Sequence, residues 1–323
     1  MIKLGVIGAG PNGTGNARNF AKYTERCRIA AISDPVLPAA ETLAREFGAA
    51  VYENYEHMLD HVDAVLICSP NWLHPEQSIR CAAAGKHIWC EKPMALCSAD
   101  AYRMVEAADA AKVKTMIGFS VRFSAVHQTM KQRASELGPL VSVWSRRTAW
   151  WPLEVMKGWR RDYPKSGGLM SEIMVHEIDW LVDLCGWPEA ITARIASRYH
   201  NHPKDNEHVW ITLNYPGQLT ATAEGSCMSP MPDYYQGATG EKATFFTNKW
   251  GSELYLQPPT DKQPTRITEL LPDFDKHAHF LDVIEERAQS VADFRYGAGI
   301  TRLAELTLDS AIQKQTLPFT PIY

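Results

Sequence analysis

A short apolar run, Ile2-Lys3-Leu4-Gly5-Val6-Ile7, feeds directly into Gly8-Ala9-Gly10-Pro11-Asn12-Gly13, and this junction constrains the chain more than any other feature. An apolar run ending in G-x-G-x-x-G reads as a buried parallel strand turning sharply into a helix, here Thr14 to Tyr23. Each glycine answers a separate demand. Gly8 permits the tight turn, Gly10 lets the backbone approach a pyrophosphate, and Gly13 lets the helix pack closely on the strand. The N–H groups at the helix start, with Asn12 in the turn, then face the phosphates of a dinucleotide. The expected partner stands about twenty residues further on. Arg28 to Asp34 is a second apolar run that closes on a carboxylate placed to accept from ribose hydroxyls. No Arg or Lys follows Asp34 before Arg45, so the pattern favours NAD over its 2′-phosphorylated counterpart. Taken without its surroundings, Asp34 is also an ordinary turn residue before Pro35.

Composition limits the other functions open to the chain. With 323 residues it has the length of about two domains and a sizeable core. Hydrophobic residues at 45% and charged residues at 22% fit a globular protein. The formal charge of −4 provides no basic stripe for nucleic acid and no polybasic membrane anchor. No apolar run reaches membrane-span length and the chain opens on a strand, so neither membrane nor signal peptide is expected. Seven cysteines, an odd number without a C-x-x-C pair, imply thiols in a reducing cytoplasm.

Beyond Asp34, helical and strand periods keep alternating, which is the signature of a doubly wound parallel sheet. Ala39–Phe47 and Tyr55–Asp60 read as helices, and Asp63–Cys68 as a buried strand running into Ser69-Pro70-Asn71-Trp72-Leu73-His74. That loop leaves the carboxyl end of a strand, where ligands bind in open α/β sheets, so Ser69, Asn71 and His74 are candidate cofactor contacts. His74 reads equally well as a cap of the helix Pro75–Ala84. Lys86–Cys90 is the next strand and delivers Glu91-Lys92-Pro93 at its carboxyl end. Glu91 and Lys92 are then cofactor-binding candidates, and Lys92 points at the nicotinamide end, where a lysine suits proton exchange with a substrate hydroxyl. A surface Lys92–Glu91 pair is the alternative. A helix from Ser98 to about Lys112 and the strand Lys114–Gly118 close a six-stranded sheet, giving a dinucleotide-binding domain over 1–122 and a second domain over 123–323.

In the second half, Ala125–Leu137 has helical spacing and Leu140–Thr148 alternates as a strand. Trp150 to Arg161 is a loop crowded with indoles. Trp159 and Arg160 are candidate substrate contacts, by stacking on a sugar ring and by gripping an anion, although core tryptophans and surface charges explain the same residues. Glu172, His176 and Asp179, spaced four and three apart, share one face of a helix, where His176 held by carboxylates suits a general base or acid. No further ligand completes a shell around them, so no metal is expected. His57 and His61 read as exposed helix residues, and His200, His202, His208, His277 and His279 as loop or helix-face residues. The runs Ala193–Tyr199, His208–Asn214, Leu219–Ser226 and Ala243–Thr247 suggest the meandering strands of a large sheet, closed by helices over Phe274–Gln289 and Gly299–Gln313.

Taken together, Gly8-Ala9-Gly10 with Gly13, Asp34, Ser69-Pro70-Asn71 with His74, Glu91-Lys92-Pro93, and Gly118-Phe119 with Arg122-Phe123 resemble the Gfo/Idh/MocA family, the glucose-fructose oxidoreductase and inositol dehydrogenase group. The resemblance runs over nearly the whole chain, and Glu91-Lys92-Pro93 is its most specific element. It implies an α/β protein: an N-terminal Rossmann domain, then an α/β domain with a large open, mostly antiparallel sheet that forms the face of a homodimer or homotetramer. It also implies NAD-dependent oxidation of a sugar, polyol or related carbohydrate, with Lys92, His176, Glu172 and Asp179 catalytic and Arg122 near substrate. Glu172 stands where inositol dehydrogenases carry Asp, which places the carboxylate differently. Two alternatives remain open at this level: a redox-neutral, NAD-dependent glycoside hydrolase or lyase, and a non-catalytic dinucleotide-binding regulator.

Overall fold

Short apolar strands, most of them buried at their carboxyl ends, lie side by side under helices in the first unit. The computed structural model describes residues 1–151, 156–197 and 207–321. Its first unit comprises residues 1–119 and 275–301. The sheet there contains β1 (Ile2–Ile7), β2 (Cys27–Ser33), β3 (Ala50–Tyr52), β4 (Ala64–Ile67), β5 (His87–Cys90) and β6 (Thr115–Ile117). All are parallel, in the order β3-β2-β1-β4-β5-β6, so the order reverses between β1 and β4. Leu4, Val6, Ile32, Ala64 to Ile67 and Trp89 are inaccessible to solvent, as strands covered on both faces require. The helices α1 (Pro11–Phe20), α2 (Leu37–Phe47), α3 (His74–Ala83) and α4 (Ser98–Ala111) form the crossovers. Gly48 ends α2 in the left-handed conformation at φ 64°, as its sequence position predicts. The short β3 has no counterpart among the strands legible in the sequence.

A contiguous division at 122/123 differs from the one observed. Residues 275–301 return to the first unit, where Ile117 N–H donates to Ala292 O at 2.8 Å and Phe294 N–H to Thr115 Oγ1 at 3.1 Å. Ala292, Phe294 and Ala298 are buried there, and Gly297 lies so close to the sheet that a Cβ would stand 2.7 Å from Ile117. His277 and His279, read from sequence as loop or helix-face residues, are 6% and 4% exposed within this returning segment.

Among the described residues the second unit is built on nine strands. They are β7 (Leu140–Trp150), β8 (Ala190–Ala196), β9 (His208–Asn214), β10 (Thr220–Ser226), β11 (Met228–Gly240), β12 (Thr244–Asn248), β13 (Glu253–Gln257), β14 (Thr265–Ile267) and β15 (Leu317–Pro318). Their order is β14-β13-β12-β11-β7-β10-β9-β8-β15, and every pairing except β7 with β10 is antiparallel. Alternation puts Val209, Ile211, Leu213, Ala221 and Ala223 on the buried face and leaves Val141 and Trp210 exposed. The strands from Met228, Glu253 and Thr265 are absent from the sequence reading. Pro230 and Pro232 interrupt the first of these, in the stretch where its register on β7 shifts between Met228 and Asp233. His200 and His202 lie outside the described residues. Among the described residues no helix is long and apolar enough to cross a membrane.

The helix Val175–Cys185 covers the inner face of this sheet, following one π-helical turn at Met170–Met174. Gly225 makes the contact possible, since a Cβ there would stand 2.0 Å from Met174 Sδ. Glu177 on that helix is completely buried, bonded by Ser145 Oγ and 3.5 Å from Arg147 Nη1. Burial pushes its carboxyl pKa up, against the opposing pull of Arg147 and Ser145. A raised native pKa stabilises the fold below the unfolded carboxylate range, and that contribution is lost as pH rises through the native value. Glu177→Gln should therefore gain thermal stability relative to the parent between about pH 4 and about pH 8, read as the difference in melting temperature across that range.

Candidate active site

The glycine turn fixes where a dinucleotide can lie. Gly8 sits at φ 99°, and a Cβ on it would be 2.8 Å from Cys68 O, so the turn is pinned between β1 and β4. At Gly13 a Cβ would stand 1.9 Å from Gly8 O, which leaves no side chain but hydrogen at this crossing of helix and strand. Gly10 is the opposite case: exposed at the helix start, with nothing within 4 Å of an added Cβ. Asn12, in the first turn of α1, is exposed. The three glycines thus divide into two that close the protein on itself and one that opens it to a ligand.

Asp34 ends β2 beside this turn. Its Oδ2 accepts from Ala9 N–H at 2.8 Å and its Oδ1 from Val36 N–H at 2.8 Å, which aims the half-buried carboxylate while leaving each oxygen a lone pair. These features fit a dinucleotide: open space over Gly10 for the pyrophosphate and an oriented acceptor for ribose hydroxyls.

The loops after β4 and β5 carry the remaining candidates. Ser69 donates its hydroxyl to Gln77 Oε1 at 2.5 Å, and Asn71 is 4% exposed. His74 is fully buried, its Nδ1 2.8 Å from Pro93 O and its Nε2 2.9 Å from Ser69 O. Burial pushes its pKa down, so a ring that is neutral donates to one carbonyl and rests against the other. Both ring nitrogens of His74, the expected cofactor contact, are thus occupied by backbone carbonyls, and the side chain joins the two loops. Glu91 is 7% exposed and accepts from Asn16 Nδ2 at 2.8 Å, while Lys92 beside it is half-buried and precedes a cis peptide to Pro93.

In the second unit the candidates separate into two groups. Arg160 lies 4.4 Å over the Trp159 ring and donates to Glu172 Oε2 at 3.3 Å, so three candidates meet in one cluster. His176 is half-buried one turn beyond, on the helix that follows the π-helical turn. The wider turn at Met170–Met174 replaces the uniform α-helical face that the spacing of Glu172, His176 and Asp179 implies. Asp179 and Arg122 form the other group. They are 0% and 3% exposed, with Arg122 Nη2 2.5 Å from Asp179 Oδ1 and Nε 3.2 Å from Oδ2. Arg122 Nη1 also lies 3.3 Å from Asp183, which His127 and Lys131 hold at 2.6 and 2.8 Å. Burial opposes charge on Asp183, but the bond from His127 and the field of Arg122 hold its carboxyl well below the usual range. Arg122, the expected substrate contact, and Asp179, the expected partner of His176 or of substrate hydroxyls, close a buried ion pair that a broken partner would leave uncompensated. The i, i+4 spacing of Asp179 and Asp183 was the available signal.

Comparison with known proteins agrees with this division. Residues 2–119 match the oxidoreductase family with an NAD-binding Rossmann fold, GFO_IDH_MocA, and residues 127–246 match the GFO/IDH/MocA C-terminal domain. A 2,7-anhydro-N-acetylneuraminate hydratase of Escherichia coli (strain K12) is 29% identical over 252 residues, 76% of this chain and 67% of the relative. A myo-inositol 2-dehydrogenase of Thermotoga maritima is 33% identical over 186 residues, 55% of this chain and 53% of the relative. The fold is that of a levoglucosan dehydrogenase solved in complex with NADH, with a TM-score of 0.89 at 19% identity over 99% of this chain and 100% of that one.

The glycines offer a direct check on the cofactor site. Gly10→Ala should leave the melting temperature nearly unchanged and weaken NAD binding by about tenfold or more, ~1.4 kcal/mol, in a calorimetric titration. Gly13→Ala should instead lower stability by about 1–3 kcal/mol, because its methyl group overlaps Gly8 O.

Proposed function

We propose that this chain, which belongs to the GFO/IDH/MocA family of NAD-binding oxidoreductases, is a dehydrogenase that oxidises a hydroxyl-bearing carbon of a sugar, polyol or related carbohydrate. The observation that carries the reading is Lys92, half-buried at the carboxyl end of β5 in the sheet whose β1 ends in the glycine turn. Bound NAD supplies hydride acceptance, chemistry that belongs to the cofactor. Gly8, Gly10 and Gly13 shape the pyrophosphate cradle, and Asp34 holds the ribose hydroxyls and repels a 2′-phosphate. Lys92 Nζ accepts the substrate hydroxyl proton. His176 is the second proton carrier, and Glu172, with Arg160 and Trp159 beside it, binds neighbouring hydroxyls and a ring face. The inositol and sugar-phosphate dehydrogenases among the relatives support a polyol substrate.

A redox-neutral reaction is the second reading, favoured by the hydratase relative and by Glu172 in place of Asp. Transient oxidation of a sugar carbon acidifies the neighbouring C–H and permits elimination or hydration, after which the hydride returns and no reduced cofactor accumulates.

Purified protein with NAD and a panel of polyols, free sugars and glycosides separates the two readings. Reduced-nicotinamide absorbance rising in step with loss of one compound supports the dehydrogenase, and loss without that absorbance supports the redox-neutral reaction. Lys92→Met should lower turnover by about 10²–10⁴-fold while NAD still binds, and unchanged turnover would remove Lys92 from the mechanism.

A further inference from the structure

Glu91 is held by a chain of side chains that starts outside the cofactor loops. Asn16 on α1 donates from Nδ2 to Glu91 Oε1 at 2.8 Å, and its Oδ1 lies 3.0 Å from His277 Nε2. The polarity of this chain follows from donor chemistry alone. A carboxylate only accepts, so the Asn16 amide must turn its NH₂ to Glu91 and its oxygen to His277, and His277 must then carry its proton on Nε2. Asp275 Oδ1, 3.2 Å from Nδ1, already accepts the backbone N–H groups of His277 and Ala278 at 2.8 and 3.3 Å. The ring cannot turn to offer anything else: it stacks on Trp89 at 5.4 Å and 10°, with Phe20 edge-on at 4.8 Å. Burial, with the nearby Lys276 charge, pushes its pKa down to about 4, which keeps it a single donor near neutrality.

The other end of the chain is equally confined. Gly118 lies against the Glu91 carboxylate, where a Cβ would stand 2.9 Å from Oε1 and 3.3 Å from Oε2. Among the described residues the bond from Asn16 is the one hydrogen bond that this carboxylate receives from a side chain. The hydrogen bond from Asn16 and the close packing of Gly118 together aim Glu91.

We propose that Asn16 and His277 are positioning residues that fix Glu91, and with it the Glu91-Lys92 turn, at the nicotinamide end of the cofactor site. The role at the cofactor rests on the reading of Glu91 and Lys92 given above; the direction of the chain does not. A helix from the far end of the sequence thereby sets the register of the strand end that carries the chemistry. The ionisable groups that interact with Glu91 are His277 from the returning helix, with Lys276 beside it, Cys68 and His74 from the β4 side, and Cys90 and Lys92 as its chain neighbours.

The test has a part that needs neither substrate nor cofactor. Nitrogen-15 NMR of histidine-labelled wild-type protein should find His277 neutral at about pH 7 with its proton on Nε2. A neutral ring with its proton on Nδ1, leaving Nε2 without a donor for Asn16, would overturn the chain. NAD affinity by fluorescence titration then tests the function of the chain. His277→Phe keeps the aromatic packing but has no donor, and should weaken NAD about tenfold, whereas His277→Gln, which restores an N–H, should stay within about threefold of wild type. Asn16→Asp faces Glu91 with a second carboxylate, so the two must share a proton. Its NAD affinity should match wild type near pH 5 and fall about tenfold by about pH 8. Folded His277→Phe and Asn16→Asp proteins with wild-type, pH-independent affinity would overturn the positioning role. Wild-type protein that binds no NAD while His277 shows the expected tautomer would instead count against the proposed function and leave the chain itself intact.

Discussion

One close approach in the first unit, a helix glycine laid against the carbonyl of the glycine that follows β1, governs how the strand ends around it are placed. Because Gly13 has no side chain, α1 starts hard against the end of β1, and the Gly8 carbonyl is covered by Gly13 itself. The same turn presents Ala9 N–H to Asp34, so the ends of β1 and β2 are tied by one hydrogen bond of 2.8 Å. Once that tie is made, β4 and β5 can reach the reversal point of the sheet only on the other side of β1, and they deliver Ser69 and Glu91-Lys92 from their carboxyl ends. Local backbone geometry at three glycines is thus translated, strand by strand, into the placement of Lys92.

Buried charge organises the second unit in a comparable way. Arg122 is enclosed with Asp179 and Asp183, while Glu177, on the same helix, faces the sheet with Ser145 and Arg147. None of these three carboxyl groups is tolerable without its partners, so the helix Val175–Cys185 has one rotation about its axis that satisfies all of them. The rotation leaves His176 half-buried on the remaining side, and the π-helical turn before it brings Glu172 to Arg160 and Trp159. The exposed chemistry is a consequence of the enclosed ion pairs.

What the sequence reveals follows from how local each signal is. Strands β1, β2, β4 and β5 are apolar runs that end in consecutive buried residues, and the Gly8-to-Gly13 spacing is a property of six adjacent positions, so both are legible without tertiary information. The three-residue β3 is too short to carry a period, and β11 is broken by Pro230 and Pro232. Partners far apart in the chain are invisible: Arg122 and Asp179 are 57 residues apart, and Asn16 and His277 are 261 apart. A buried histidine has no sequence mark that separates it from a loop histidine, which is why His74, His277 and His279 acquire their roles only in the fold. Glu172, Trp159 and Arg160 were legible as residue types, whereas their meeting in one cluster was not.

Calorimetric titration of the wild-type protein with NAD and with NADP tests the central claim most directly, because the Asp34 carboxylate and the turn it holds are the features on which the cofactor assignment depends. The geometry predicts NAD binding tighter than NADP by about 100-fold or more, ~2.7 kcal/mol, since a 2′-phosphate would be set against an oriented carboxylate with no cation before Arg45. Equal affinity for the two, or preference for NADP, would contradict it.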